Sequence, residues 1–125
     1  MNIPEDLRYT PEHEWIRDMG DGVFRIGITD YAQDQLGDVV YVELPEEGKM
    51  VSSGDLMAEI ESTKSVGEVY APFAGVVTAL NEAVVQDPSL VNQSPYDEGW
   101  LVDMRIDGDM PDGLLDAAGY RDLTE

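Results

Sequence analysis

The sequence predicts one mainly β domain over residues 1–125, a compact barrel or sandwich with short helices confined to its margins. Short runs rich in Val, Ile and Tyr recur along the chain, each closed off by Gly, Pro or Asp. Capping signals for helices fall only beside these runs or near the C-terminus. A length of 125 residues with a hydrophobic fraction of 42% suits one buried core, and no low-complexity tract or interdomain linker interrupts it.

Taken in order, residues 14–18 and 23–29 read as a first strand pair, joined by the turn Met19-Gly20-Asp21-Gly22. Thr29 or Asp30 caps a short helix through Ala32 and Leu36, stopped at Gly37. Residues 38–44 are rich in β-branched side chains and end at Pro45. Turns follow at 46–49 and 52–55. Residues 56–61 alternate, with Leu56, Ala58 and Ile60 on one face and Met57, Glu59 and Glu61 on the other. Further strands are expected at 68–71, 75–80 and 99–106, with at most one helical turn within 87–92. Asp112 is the expected cap of a closing helix over 113–118.

Charge narrows the function. Against 27 Asp and Glu stand only 7 Lys and Arg, a formal net charge of -20. So few cations cannot replace the counterions of a nucleic acid or an anionic membrane surface, so neither is an expected partner. A strongly acidic chain meets basic docking patches quickly instead. Cysteine is absent, which removes disulfides, thiolate metal sites and cysteine nucleophiles. Residues 1–9 are polar and acidic, with neither an apolar export segment nor an Arg-rich presequence, so a cytoplasmic protein is the simplest expectation.

Residues 59–72 carry the most information. If Lys64-Ser65 form a two-residue loop, Ile60 faces Val69 and Ala58 faces Ala71, and the apolar positions match. This register also sets Glu61 against Glu68, a like-charge pair. Lys64 then stands at the tip of the hairpin, far from the core. Spacing alone leaves it open between an ordinary solvated turn lysine and a modification site. A lysine amine is protonated at neutral pH and is a poor nucleophile, so acylation there requires an enzyme.

The segment Gly54-Asp55-x-Met57-x-Glu59-x-Glu61-Ser62-x-Lys64, followed by Ala71-Pro72-x-x-Gly75-x-Val77, resembles the lipoyl-attachment motif of the glycine cleavage system H-protein family. Tyr9-x-Pro11-x-His13-Glu14-Trp15 is similar to that family's N-terminal signature. Three further blocks resemble it in the same order: residues 26–33, residues 36–45, and Leu90-Val91-Asn92-x-Ser94-Pro95-Tyr96-x-x-Gly99-Trp100. Together they span nearly the whole chain.

The resemblance implies a barrel-sandwich hybrid fold with lipoate attached covalently to Lys64, installed by a lipoate ligase or a lipoyl or octanoyl transferase. It implies a non-catalytic carrier serving three enzymes. The P protein decarboxylates glycine and passes an aminomethyl group to the arm. The T protein releases ammonia and transfers the one-carbon unit to tetrahydrofolate, and the L protein reoxidises the arm. Glu14 and Glu68 match the positions expected to meet the loaded amine. In so acidic a chain, ordinary solvation is the competing reading for both. Two departures, Glu12 in place of a small hydroxyl residue and Tyr31 in place of a histidine, bear on how the arm rests.

His13, the sole histidine, has no serine or cysteine partner and reads as structural; Trp15, Tyr41 and Trp100 read as core or rim aromatics. A biotin carrier would place methionines beside the lysine, where Thr63 and Ser65 stand here. A lipoyl domain of a 2-oxoacid dehydrogenase would bring Ala/Pro-rich linkers. An H-like lipoate-relay protein would keep Lys64 and the same fold. A monomer is the default expectation for a mobile shuttle.

Overall fold

A computed structural model describes residues 1–125. Nine antiparallel strands form two sheets. The larger contains β1 (Arg8–Tyr9), β2 (Glu14–Gly20), β3 (Val23–Ile28), β9 (Val102–Ile106), β8 (Gly75–Leu80) and β5 (Met50–Val51), side by side in that order. The smaller has β6 (Leu56–Ser62) in the centre, flanked by β4 (Val39–Glu43) and β7 (Val66–Tyr70). Four short helices lie outside: α1 (Asp30–Leu36), α2 (Glu82–Gln86), α3 (Leu90–Gln93) and α4 (Ala117–Thr124). This is the mainly β barrel-sandwich hybrid that the sequence and its resemblance predict. None of the helices is long and apolar enough to cross a membrane.

Period-two patterning builds two cores from one strand. Ile16 points into the space between the sheets, where it joins Ile26, Val77 and Met104 from the large sheet and Val42, Ile60 and Val69 from the small one. Its neighbour Trp15 points the other way, into a cluster with Leu7, Tyr9, Tyr96 and Tyr120 that fastens α4 to the outside of β2. The Trp15 indole donates to the Pro95 carbonyl at 2.9 Å, so its one polar atom is satisfied on burial. Gly27 is its cross-strand partner, and a Cβ there would lie 2.7 Å from the indole ring. The glycine is the space the tryptophan occupies.

Helix α1 forms where its signals predict. The Thr29 hydroxyl accepts from the Ala32 amide at 3.2 Å, and Gly37 ends the helix at a φ of 78°. Strand β8 also matches its predicted limits.

Five expectations need correction. The closing helix is α4, capped by Asp116, whose side chain accepts from Gly119; Leu115 is extended and pairs with Tyr9. The last strand starts at Val102, and Gly99 before it packs against the carbonyls of Leu90 and Ser94. Residues 82–93 supply two short helices, the first capped by Asn81. A bulge between Leu56 and Ala58 breaks the alternation of β6, leaving Leu56 exposed and burying both Met57 and Ala58.

The fifth correction is the hairpin register. Ile60 pairs with Gly67, Ala58 with Val69 and Glu59 with Glu68, a shift of two residues from the expected alignment. Both alignments keep the same side chains on the same face, so hydrophobic matching cannot separate them. Helix α1 packs against the observed pairing. Leu36 covers Gly67 so closely that a Cβ there would lie 3.1 Å from the Leu36 methyls. A larger residue at that position would require the Leu36 side chain to give by a few tenths of an ångström.

Gly27→Ala should overpack the Trp15 site and lower the unfolding free energy by about 2 kcal/mol. Urea unfolding followed by tryptophan fluorescence checks this; an unchanged midpoint would mean that the indole does not fill that space.

Candidate functional site: the lysine turn and the clefts beside it

In the observed register the hairpin turn runs Ser62-Thr63-Lys64-Ser65, with Lys64 in its second central position. The Ser62 amide donates to the Ser65 carbonyl at 2.8 Å. The Ser62 hydroxyl oxygen accepts from the amides of Lys64 and Ser65 at 3.3 and 3.0 Å. The Thr63 amide donates to the Asp38 carbonyl at 3.1 Å, tying the turn to the segment before β4. The turn is therefore held from inside and from the side. Lys64 itself is exposed, and its ammonium makes no ion pair; the single salt bridge in the chain joins Arg25 to Asp103.

The lysine stem does not project straight outward. Its Cε lies 3.4 Å from the place a Cβ on Gly37 would occupy, so the stem is laid across the end of α1. Beyond that end opens a groove of 370 Å³ between α1 and the free edge of β7. Ile28, Leu36, Ile60 and Val69 supply apolar lining, and Glu12, Gln35 and Glu68 supply polar atoms. A second cleft, of 280 Å³, is lined by Thr10, Glu12, Glu14, Tyr70 and Asp112. Glu12 borders both, so its negative charge stands at their junction.

Glu14 and Glu68 differ sharply in setting. Glu14 is 2% exposed, at the start of β2 on the inward-facing side. Its Oε1 accepts from the Thr10 hydroxyl at 2.8 Å and its Oε2 from the Tyr70 amide at 3.0 Å. Burial pushes its carboxyl up to about 7, and the two hydrogen bonds hold it from going further. Glu68 is exposed on the groove side of β7. It is also the main reason the Tyr70 phenol is pushed up. Its cross-strand neighbour is Glu59, not the expected Glu61, and Glu59 pairs on its other side with Glu43. Three carboxylates thus form a row across the small sheet.

His13 has a structural role. It sits at a φ of 72°, with Nδ1 2.8 Å from the Tyr120 hydroxyl, which in turn is 2.6 Å from the Thr29 hydroxyl. Its ring packs against Tyr31 at 4.7 Å, and burial lowers its pKa. The histidine therefore links α4 to the cap of α1, and both rings line the groove. Trp15 is core, Trp100 is half-buried over Arg25, and Tyr41 is exposed. Thr10 and Tyr70 escaped sequence reasoning. The one available hint was a hydroxyl residue four positions before Glu14 in a tight turn.

The Glu14 carboxyl, raised from 4.5 to about 7, favours the folded state fully below pH 4.5 and loses that contribution as pH rises through about 7. Relative to Glu14→Gln, the native chain should therefore lose about 3 kcal/mol of unfolding free energy between pH 4.5 and pH 8. Denaturation curves across that range test this; a constant difference between the two proteins would show that Glu14 titrates normally.

Residues 7–125 match the family model described as glycine cleavage H-protein. The chain is 55% identical over 123 residues to the glycine cleavage system H protein of Mycolicibacterium smegmatis, covering 95% of this chain and 94% of that one. It is 53% identical over 129 residues to the H protein of Mycobacteroides abscessus, covering 98% of each. The crystal structure of a glycine cleavage system H protein from Mycobacterium marinum superposes with a TM-score of 0.88, at 41% identity over 96% of this chain and 97% of that one. A match of this extent, on a fold of the same architecture, is decisive: the chain belongs to the glycine cleavage H-protein family.

Proposed function

We propose that this protein is the lipoyl-bearing carrier of a glycine cleavage system, with lipoate attached covalently to Lys64 by a lipoate ligase or a lipoyl or octanoyl transferase. It accepts an aminomethyl group from the P protein, presents it to the T protein and is reoxidised by the L protein. The polypeptide contributes no catalytic residue of its own. A monomer in the cytoplasm suits the role. The observation that carries the reading is the placement of Lys64: exposed, unpaired, on a doubly braced turn, with its stem lying against Gly37 at the end of α1.

The residues present suit the group. The Lys64 amine is reachable by an acylating enzyme, and no carboxylate competes for it. The groove beside it offers apolar walls at Ile28, Leu36 and Val69, suited to a hydrocarbon arm and a dithiolane. When attached, the lipoyl group supplies the redox and group-carrying chemistry that the side chains of this chain lack.

What the chain's own residues do follows from their setting. Apolar walls exclude water from a cargo that water would otherwise hydrolyse. Glu14 supplies a buried carboxyl that is about half neutral near pH 7, so the empty cleft does not have to hold a bare charge. An arriving ammonium favours the ionised form, and the Glu14 proton leaves to solvent as a charge-assisted hydrogen bond forms. Glu68 and Glu12, both on the groove, attract the same cation from more solvated positions.

Incubation with lipoate, ATP and a lipoate ligase should add one lipoyl group to the native chain and none to Lys64→Arg. Intact mass and peptide mapping read the result. Modification at Lys49, the only other lysine, or no modification at all, would overturn the assignment.

A further inference from the structure

The loop between β1 and β2 is closed by an unusual pairing of two of its residues. The Thr10 amide donates to the Glu14 carbonyl at 3.0 Å, and the Glu14 amide donates to the Thr10 hydroxyl oxygen at 3.2 Å. The same hydroxyl lies 2.8 Å from Glu14 Oε1. Since that oxygen already accepts a proton from the Glu14 amide, its own proton is directed to the carboxylate. Amide, hydroxyl and carboxylate form one directed chain that starts and ends on Glu14. Thr10 is 4% exposed, so water does not substitute readily for it.

We propose that Thr10 is a positioning residue for cargo retention: its hydroxyl fixes the Glu14 carboxylate in the cleft and keeps it ionisable when a cationic amine arrives. The inference rests on the carrier reading for its purpose, and on the hydrogen-bond geometry alone for its mechanism.

The alternatives for this role are absent from the surroundings. The Tyr70 amide is the other donor, but it serves Oε2 and is part of the backbone. Glu12 and Asp112 share the cleft with Glu14, and both are acidic. Glu12 raises the Glu14 carboxyl, and Glu14 and Glu12 raise the Tyr70 phenol. From α4, the phenol of Tyr120 is engaged with His13 and Thr29. No cation faces Glu14 from any of these elements, so before cargo arrives hydrogen bonds alone oppose its burial. Of the two donors to its carboxylate, only the Thr10 hydroxyl is a side chain, and hence the only one a substitution can remove cleanly.

The test compares the native chain, Thr10→Val and Thr10→Ser. Thr10→Val keeps the shape and removes the donor; Thr10→Ser restores the donor. Carbon-detected NMR of the Glu14 carboxyl in the unloaded protein should show a midpoint near 7 in the native chain. Thr10→Val should move that midpoint up by about one pH unit, and Thr10→Ser should bring it back. Spontaneous ammonia release from aminomethyl-loaded protein should rise about fivefold at pH 7 in Thr10→Val, with its pH profile displaced in the same direction. Combining Thr10→Val with Glu14→Gln should add nothing to the release rate of Glu14→Gln alone.

Superposable NMR titrations for the native chain and Thr10→Val would overturn the inference. So would faster release at every pH with an unmoved midpoint, which is what a merely loosened loop would give. If Glu14→Gln itself leaves release unchanged, the parking role of Glu14 fails, while the titration still decides whether Thr10 sets its ionisation.

Discussion

Helix α1 rests on the small sheet through one close contact, Leu36 against the bare backbone of Gly67. Gly67 stands opposite Ile60, and this register sets where the β6–β7 hairpin turns. It makes the turn Ser62 to Ser65, puts Lys64 in its second central position and brings the end of α1 beneath the lysine stem. The same packing forms one wall of the groove. The Leu36–Gly67 contact therefore lies beside both the lysine turn and the groove.

Charge is arranged against this apolar frame with a clear division. The outer row Glu43, Glu59 and Glu68 is solvated, and like charges set side by side on a sheet oppose folding modestly. Such a row gives the small sheet an acidic face, whose attraction for cations weakens as salt rises. Glu14 is the opposite case, a carboxyl inside the fold with its ionisation poised near neutrality. An exposed acid attracts a cation weakly and without selectivity. A buried one holds it only if hydrogen bonds keep the charged form accessible.

Much of this was legible in the sequence wherever the signal was local. The cap at Thr29, the stop at Gly37 and strand β8 emerge where side-chain chemistry and period place them. The segment around Lys64 shows its family resemblance in its motif. Failures came where a distant element decides between locally equivalent choices. Two hairpin registers two residues apart keep the same faces, so residue period alone does not choose between them. Asp112 and Asp116 are both plausible caps, and the pairing of Leu115 with Tyr9 selects the second. The burial of Glu14 was invisible in a chain so rich in carboxylates, because its donors come from the preceding loop and from Tyr70, 56 positions away.

The central claim is that Lys64 carries an arm that works in glycine cleavage. Exchange of the glycine carboxyl carbon with labelled bicarbonate, driven by P protein and lipoylated chain, tests it most directly. The account predicts exchange that requires lipoylation and vanishes in Lys64→Arg. Full lipoylation at Lys64 with no exchange would contradict it and assign the chain to lipoate relay instead.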